Sequence, residues 1–338
     1  MQPYQEYDKR LRAAEQVAPL TADVFGEQVN LYDRSASFEH VDISLPGNSA
    51  LPVELRRKLD VRPLPQLLNA RPELFGGVGN WEIGVPYITG TFDSAYGWNS
   101  TAAGATPRCS TNFYPHTNPP HRIEDIWSGY SVVIPGAGGR DLMGHPDASH
   151  RPSDGATRLW TTREFDTFSC VPMAYGYPGE GFLMTTAQGV TYRFDVGTIR
   201  SGGMMGSDHP EIGTGRPRQQ VFLLASRVED RFGNWVKYTY NDKGHPPRIQ
   251  AHDGRQLDLT YSSGRLATAT AHGRQWTYGY QNGQLSQVTQ PDSRQWSFSY
   301  SDDMTLDYPI WGESPGPSCA VRAPLVEADF TVTIKKGE

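Results

Sequence analysis

Four tyrosines recur at nearly constant spacing in the second half of the chain. Tyr240, Tyr261, Tyr280 and Tyr300 lie 21, 19 and 20 residues apart. Just before each one, apolar residues alternate: Val236/Tyr238/Tyr240, Leu257/Leu259/Tyr261, Trp276/Tyr278/Tyr280 and Trp296/Phe298/Tyr300. A period of two places each triplet on one face of a strand. Between the strands sit short turn sequences, including Asn241-Asp242-Lys243-Gly244, Ser262-Ser263-Gly264 and Gln281-Asn282-Gly283. Gly233, Gly254 and Gly273 mark further turns, where glycine supplies the positive φ of a tight hairpin. Each unit is therefore two strands and two turns. Chained together, the units predict one continuous antiparallel meander over 221–303 with its aromatics on a single face.

The rest of the chain divides around this array. Residues 1–20 are charged and rich in Ala, Leu and Arg, and favour a short helix that ends near Pro19. Residues 21–215 are short apolar runs broken by Gly, Pro, Asn and Asp, which predicts a β-rich region with long loops. Within it, VELRRKLDV at 53–61 fits either a helical turn or a strand between Pro52 and Pro63. Residues 216–304 hold the repeat sheet. Residues 305–338 carry Pro309, Pro315, Pro317 and Pro324, then resume alternation at Phe330, Val332 and Ile334. The expected class is all-β: an irregular β-rich N-terminal domain with one short helix, followed by hairpin repeats.

Composition narrows the function classes. The 338 residues include 35 Gly and 26 Pro, below the share that signals disorder, and 11% aromatics argue for a folded chain. The net charge is −6, with no basic stripe, so nucleic acid is not an expected partner. No apolar run approaches the roughly 20 residues of a membrane span. The N-terminus MQPYQEYDKRLRAAEQ lacks the apolar stretch of a secretory signal.

Residues able to carry chemistry are few. No nucleophile elbow, P-loop or dinucleotide fingerprint occurs, and adjacent acids such as Glu124/Asp125 and Asp302/Asp303 would point to opposite faces of a strand. No catalytic residue, cofactor or metal site is expected. His116, His121, His145 and His150 read as exposed loop histidines, although His145, Asp147 and His150 together offer three metal ligands. The cysteines, Cys109, Cys170 and Cys319, form no CxxC pair. Cys109 and Cys170 flank two Trp/Tyr-rich loops and are the pair a disulfide would join; the odd count equally allows free thiols. Trp98, Trp127 and Trp160 are candidates for stacking on a cell-surface glycan, or else plug a core.

The repeat residues resemble the RHS/YD-repeat family, whose unit runs roughly G-x-x-x-x-Y-x-Y-D-x-x-G-R-L. GNWVKYTYNDKG, GRQLDLTYSSGRL, GRQWTYGYQNGQL and SRQWSFSYSDD follow it in turn, with the Tyr-Asp pair degenerate at Tyr240-Asn241, Tyr261-Ser262, Tyr280-Gln281 and Tyr300-Ser301. Upstream, VNLYDRSASFEHVDISLPGNSALPVEL resembles the leader of such proteins. The resemblance implies a spiralling β-sheet shell that holds a C-terminal toxin or effector, and hence a structural, non-catalytic role with the remaining shell or its cargo as partner. It also implies a secreted or cell-surface setting. Four units are too few to close a shell, and the 338 residues include no segment expected to be cargo. The chain is thus expected to be a leading fragment or truncated relative. Alone, it is expected to leave an aromatic face wet and a terminal strand edge open.

Overall fold

A computed structural model describes residues 27–30, 35–61, 77–98, 107–111, 115–117, 123–127, 129–144, 155–205, 216–300 and 332–336. The helix expected within 1–20 lies outside these residues. Strands dominate the described chain, and its only helix is the single turn α1 (Ile123–Ile126).

A small antiparallel sheet opens the fold, in the order β1 (Glu27–Asn30), β2 (Ser35–Leu45), β3 (Val53–Val61), β4 (Glu82–Ile83). Of the two readings open for 53–61, the strand is the one formed. Val53, Leu55 and Leu59 turn inward and are buried, while Glu54, Arg56 and Lys58 lie on the other face. Arg57 falls in the inward phase and is buried with them.

The second body is a closed barrel. Its strands are β5 (Tyr87–Asp93), β6 (Tyr130–Ile134), β7 (Gly138–Gly144), β8 (Trp160–Thr161), β9 (Thr167–Pro172), β10 (Glu180–Thr185), β11 (Thr191–Met205) and β12 (Arg216–Glu229). Each pairs antiparallel with the next, and β12 returns to β5 through Arg218–Leu224, so the ring has no free edge. Its interior is filled by Ile88, Phe92, Trp98, Tyr130, Phe168, Phe182 and their neighbours.

β12 does not stop at the barrel. Beyond Leu224 its free side takes up β13 (Trp235–Thr239), at Arg227–Glu229. From there the meander runs through β14 (Arg248–Ala251), β15 (Gln256–Ser262), β16 (Arg265–Ala271), β17 (Arg274–Gln281), β18 (Gln284–Thr289) and β19 (Gln295–Tyr300). β20 (Val332–Lys336) pairs with β19 as the last strand. No helix interrupts 233–300. Three hairpins close with two-residue turns, Ser263-Gly264, His272-Gly273 and Asn282-Gly283, and all six residues have positive φ between 48° and 82°. That is the conformation a type I′ hairpin turn demands; the pairing shifts register once in β15–β16, at Thr260/Tyr261, and once in β17–β18, at Gly279/Tyr280.

The four apolar triplets all face one core. The expectation that this face stands wet is corrected by the structure. Ile43, Leu45, Val53, Leu55, Leu59 and Ile83 of the N-terminal sheet, with Trp81 just before β4, pack onto it and are buried with it. The physical reason is the alternation in β2 and β3, which gives the leader an apolar face of its own to bury. The described residues of 21–215 therefore serve two bodies: those up to Val85 cover the meander, and those from Tyr87 build the barrel. Other than β19, no described strand pairs with β20.

Candidate functional site

The repeat tyrosines do more than fill space. Tyr240 donates its hydroxyl to the Ala225 carbonyl at 2.8 Å, Tyr261 to Pro246 at 3.1 Å, Tyr280 to Leu266 at 2.8 Å and Tyr300 to Leu285 at 2.8 Å. The acceptor lies 14 or 15 residues upstream in every case. Each unit is thus clamped to the backbone of the unit before it. A phenol suits this role because its ring fills the core while its rigid reach carries one donor to a buried carbonyl. Burial pushes the hydroxyls of Tyr240, Tyr261, Tyr280 and Tyr300 above the ordinary phenol value. Of the repeat tryptophans, Trp276 carries the Arg274 guanidinium at 5.6 Å, and Trp296 meets the edge of His40 at 4.8 Å.

Polar groups fasten the leader sheet to the repeats. Asp42 on β2 and Arg57 on β3 form an ion pair at 2.9 Å, with side chains 1% and 2% exposed. The Arg57 guanidinium also lies over Trp81 at 4.4 Å and Phe298 at 4.7 Å. Tyr278 donates to Asp42 at 3.0 Å from the opposite sheet. Nearby, Trp81 Nε1 donates to the Tyr300 hydroxyl at 2.7 Å. Arg255, held by Asp253 at 2.8 Å, donates to the carbonyls of Leu45 and Leu51 and to Ser49 Oγ at 3.1–3.2 Å. The 77–81 turn adds two ties: the amide of Leu266 to the Gly77 carbonyl at 2.8 Å, and the amide of Leu285 to Asn80 Oδ1 at 3.1 Å.

In the barrel, Trp98 and Trp160 turn inward and are 0% and 5% exposed. Trp98 stacks on Tyr130 at 4.6 Å and on Phe92 at 5.1 Å; Trp160 meets Tyr130 edge-on at 5.2 Å. Trp127, half-buried, packs on the same tyrosine at 5.1 Å. These rings plug a core, and Trp98 and Trp160 present no face to a glycan. Cys109 and Cys170 are joined as a disulfide, with Cα atoms 5.5 Å apart. Cys319 lies outside the described residues.

Beside the disulfide, Arg108 is fully buried. It donates to the carbonyls of Pro178 and Glu180 and lies over Tyr177 at 4.9 Å and Trp98 at 5.6 Å. Burial lowers its guanidinium to about 10. Glu180 accepts from the Cys109 and Ser110 amides at 3.0 and 2.9 Å, and from Ser110 Oγ at 2.7 Å.

Of the loop histidines only His116 is described; it is exposed, with its ring against Tyr96 at 4.4 Å. His121, His145, Asp147 and His150 lie outside the described residues. Among the described residues one group of three metal-type donors converges, Cys109, Cys170 and Glu180, and its two sulfurs are bonded to each other. A small cleft of about 50 Å³ opens where leader, barrel and meander meet, lined by Leu51, Glu54, Ile134, Tyr192, Val228 and Tyr238. No described helix is long and apolar enough to cross a membrane.

The buried Arg57, Arg108, Arg200 and Arg255 escaped sequence reasoning. For Arg57 a signal was present: it stands in the inward phase of an alternating strand, where a charge needs a buried partner. Comparison of the chain with protein-family profiles and with curated proteins finds no match. The described geometry is a repeat sheet whose successive units are hydrogen-bonded to one another and covered by the N-terminal sheet.

Proposed function

We propose that the chain is a structural, encapsulating piece of an RHS/YD-repeat shell protein, a leader plus the first repeat units, without catalytic work of its own. The observation that supports this is the tyrosine clamp. It recurs in step with the 19–21-residue period, so each hairpin provides the carbonyl that seats the next, and the scheme extends by simple repetition. In intact relatives of this kind the enclosed cargo is a C-terminal toxin or effector, and the remainder of that shell is the partner assigned here. The Cys109–Cys170 bond supports an oxidising setting, as at a cell surface or after secretion. The rival reading, a glycan-binding module, loses support because Trp98 and Trp160 are buried in the barrel.

Electron microscopy of the full polypeptide isolated from its native source, combined with limited proteolysis, tests the reading. A hollow β-shell that continues the β13–β20 meander around a protease-protected segment is expected. A solid particle that protects no segment overturns it.

A further inference from the structure

Residues 107–111, between β5 and β6, are fastened beside one pair of barrel strands. Cys109 is bonded to Cys170 on β9. Glu180, at the start of the neighbouring β10, holds the amides of Cys109 and Ser110 and the Ser110 hydroxyl. Arg108 donates to the carbonyls of Pro178 and Glu180. The two sulfurs and a Glu180 carboxylate oxygen all lie within 4.8 Å of one another.

We propose that Cys109, Cys170 and Glu180 form a redox-gated site that takes a thiophilic divalent cation, Zn²⁺, once the disulfide is reduced. Two thiolates and a carboxylate are a donor set that zinc favours over harder cations such as Mg²⁺. Zinc–sulfur bonds of about 2.3 Å separate two sulfurs by about 3.8 Å. Cysteines whose Cα atoms are 5.5 Å apart reach that separation by side-chain rotation. A carboxylate has about four lone-pair positions, and Glu180 uses three, so one remains for the metal. The fourth zinc position is left to water. Charge is also matched: two thiolates and one carboxylate balance the ion together with the buried Arg108 guanidinium.

The chemistry closes. A dithiol reductant gives two electrons and two protons to the Cys109–Cys170 bond and becomes a disulfide itself. Zinc then displaces both thiol protons into solvent and forms two Zn–S bonds. The same segment is thus fastened by a covalent bond in oxidising surroundings and by a metal in reducing ones.

The test uses the full chain with Cys319→Ser, which removes the third thiol. The protein is reduced with a phosphine, freed of reductant, and dialysed against Zn²⁺, with Co²⁺ as the spectroscopic probe. About one zinc per reduced chain, none in the oxidised chain, a thiolate-to-cobalt charge-transfer band, and at least tenfold weaker binding in Glu180→Gln support the proposal. Zinc uptake equal in oxidised and reduced chains, no uptake by the reduced chain, or an unchanged cobalt band in Cys170→Ser overturns it. The comparison of oxidised with reduced protein needs no variant at the site, so a misfolded variant leaves the test intact.

Discussion

The hydroxyl of Tyr278 hydrogen-bonds Asp42 at 3.0 Å and thereby ties together residues 236 positions apart. Asp42 already faces Arg57, so one carboxylate serves two sheets. Tyr278→Phe removes one bond and leaves the ion pair, and a loss of about 1–2 kcal/mol in denaturant unfolding is expected. Arg57→Met leaves the carboxylate buried without its counter-charge and is expected to lose about 3–5 kcal/mol. Adding Asp42→Asn to Arg57→Met recovers part of that loss. If the double variant is as unstable as the sum of its parts, the pairing is not what matters there.

The clamp makes a distinct prediction. Tyr261→Phe and Tyr280→Phe keep the ring and delete the donor, so each is expected to lower stability by about 1 kcal/mol while far-UV circular dichroism is unchanged. Hydrogen exchange locates the effect: the hairpin upstream of the mutated tyrosine gains exchange before the one downstream. Uniform exchange across the meander contradicts a unit-to-unit clamp.

Alkali is expected to unfold the chain cooperatively. Burial raises the hydroxyls of Tyr238, Tyr240, Tyr261, Tyr278, Tyr280 and Tyr300 above the ordinary value of 10.0. Below that value both folded and unfolded chains keep these protons, and the contribution to stability is fully present. Above it the unfolded chain releases protons that the folded chain still holds, so stability falls as pH rises toward the folded values. A pH titration followed by phenolate absorbance and circular dichroism checks this: of the 17 tyrosines, at least six are expected to ionise only together with the loss of circular dichroism. Ionisation of more than eleven before any loss of circular dichroism speaks against burial of these groups.

Seating of the leader depends on two glycines. Gly77 and Gly79 have φ of +71° and +68°, and a Cβ on either meets repeat-turn backbone, the Gly264 carbonyl at 2.6 Å or the Gly283 carbonyl at 2.8 Å. Gly79→Ala is expected to cost about 1–3 kcal/mol and to raise ANS fluorescence as the aromatic face opens. Gly139→Ala, where the nearest atom is Val133 Cγ2 at 3.8 Å, serves as the matched control and is expected to change little.

The repeat sheet was legible because its signals are local. Alternating aromatics and Ser-Gly, His-Gly and Asn-Gly turns fix strands and hairpins without reference to the rest of the chain. The cover on that sheet was not legible. In VELRRKLDV the inward phase reads Val53, Leu55, Arg57, Leu59, and a charge in the middle of that phase hides the apolar stripe until Asp42 and Tyr278 are known to face it. The barrel was hidden for another reason. β8 is two residues long, and long connections separate β5 from β6 and β7 from β8. Closure of such a ring is a long-range fact that no window of sequence records. Trp98 and Trp160 flank those connections and allowed two readings, glycan stacking or core filling; the ring draws them inside.

β12 belongs to both bodies at once. Arg218–Leu224 closes the ring against β5, Arg227–Glu229 starts the meander against β13, and β11 runs along its other side from Arg216 to Glu229. Ring and meander therefore share a strand rather than a linker. A crossover between homologues that keeps both intact is expected to fall outside that strand.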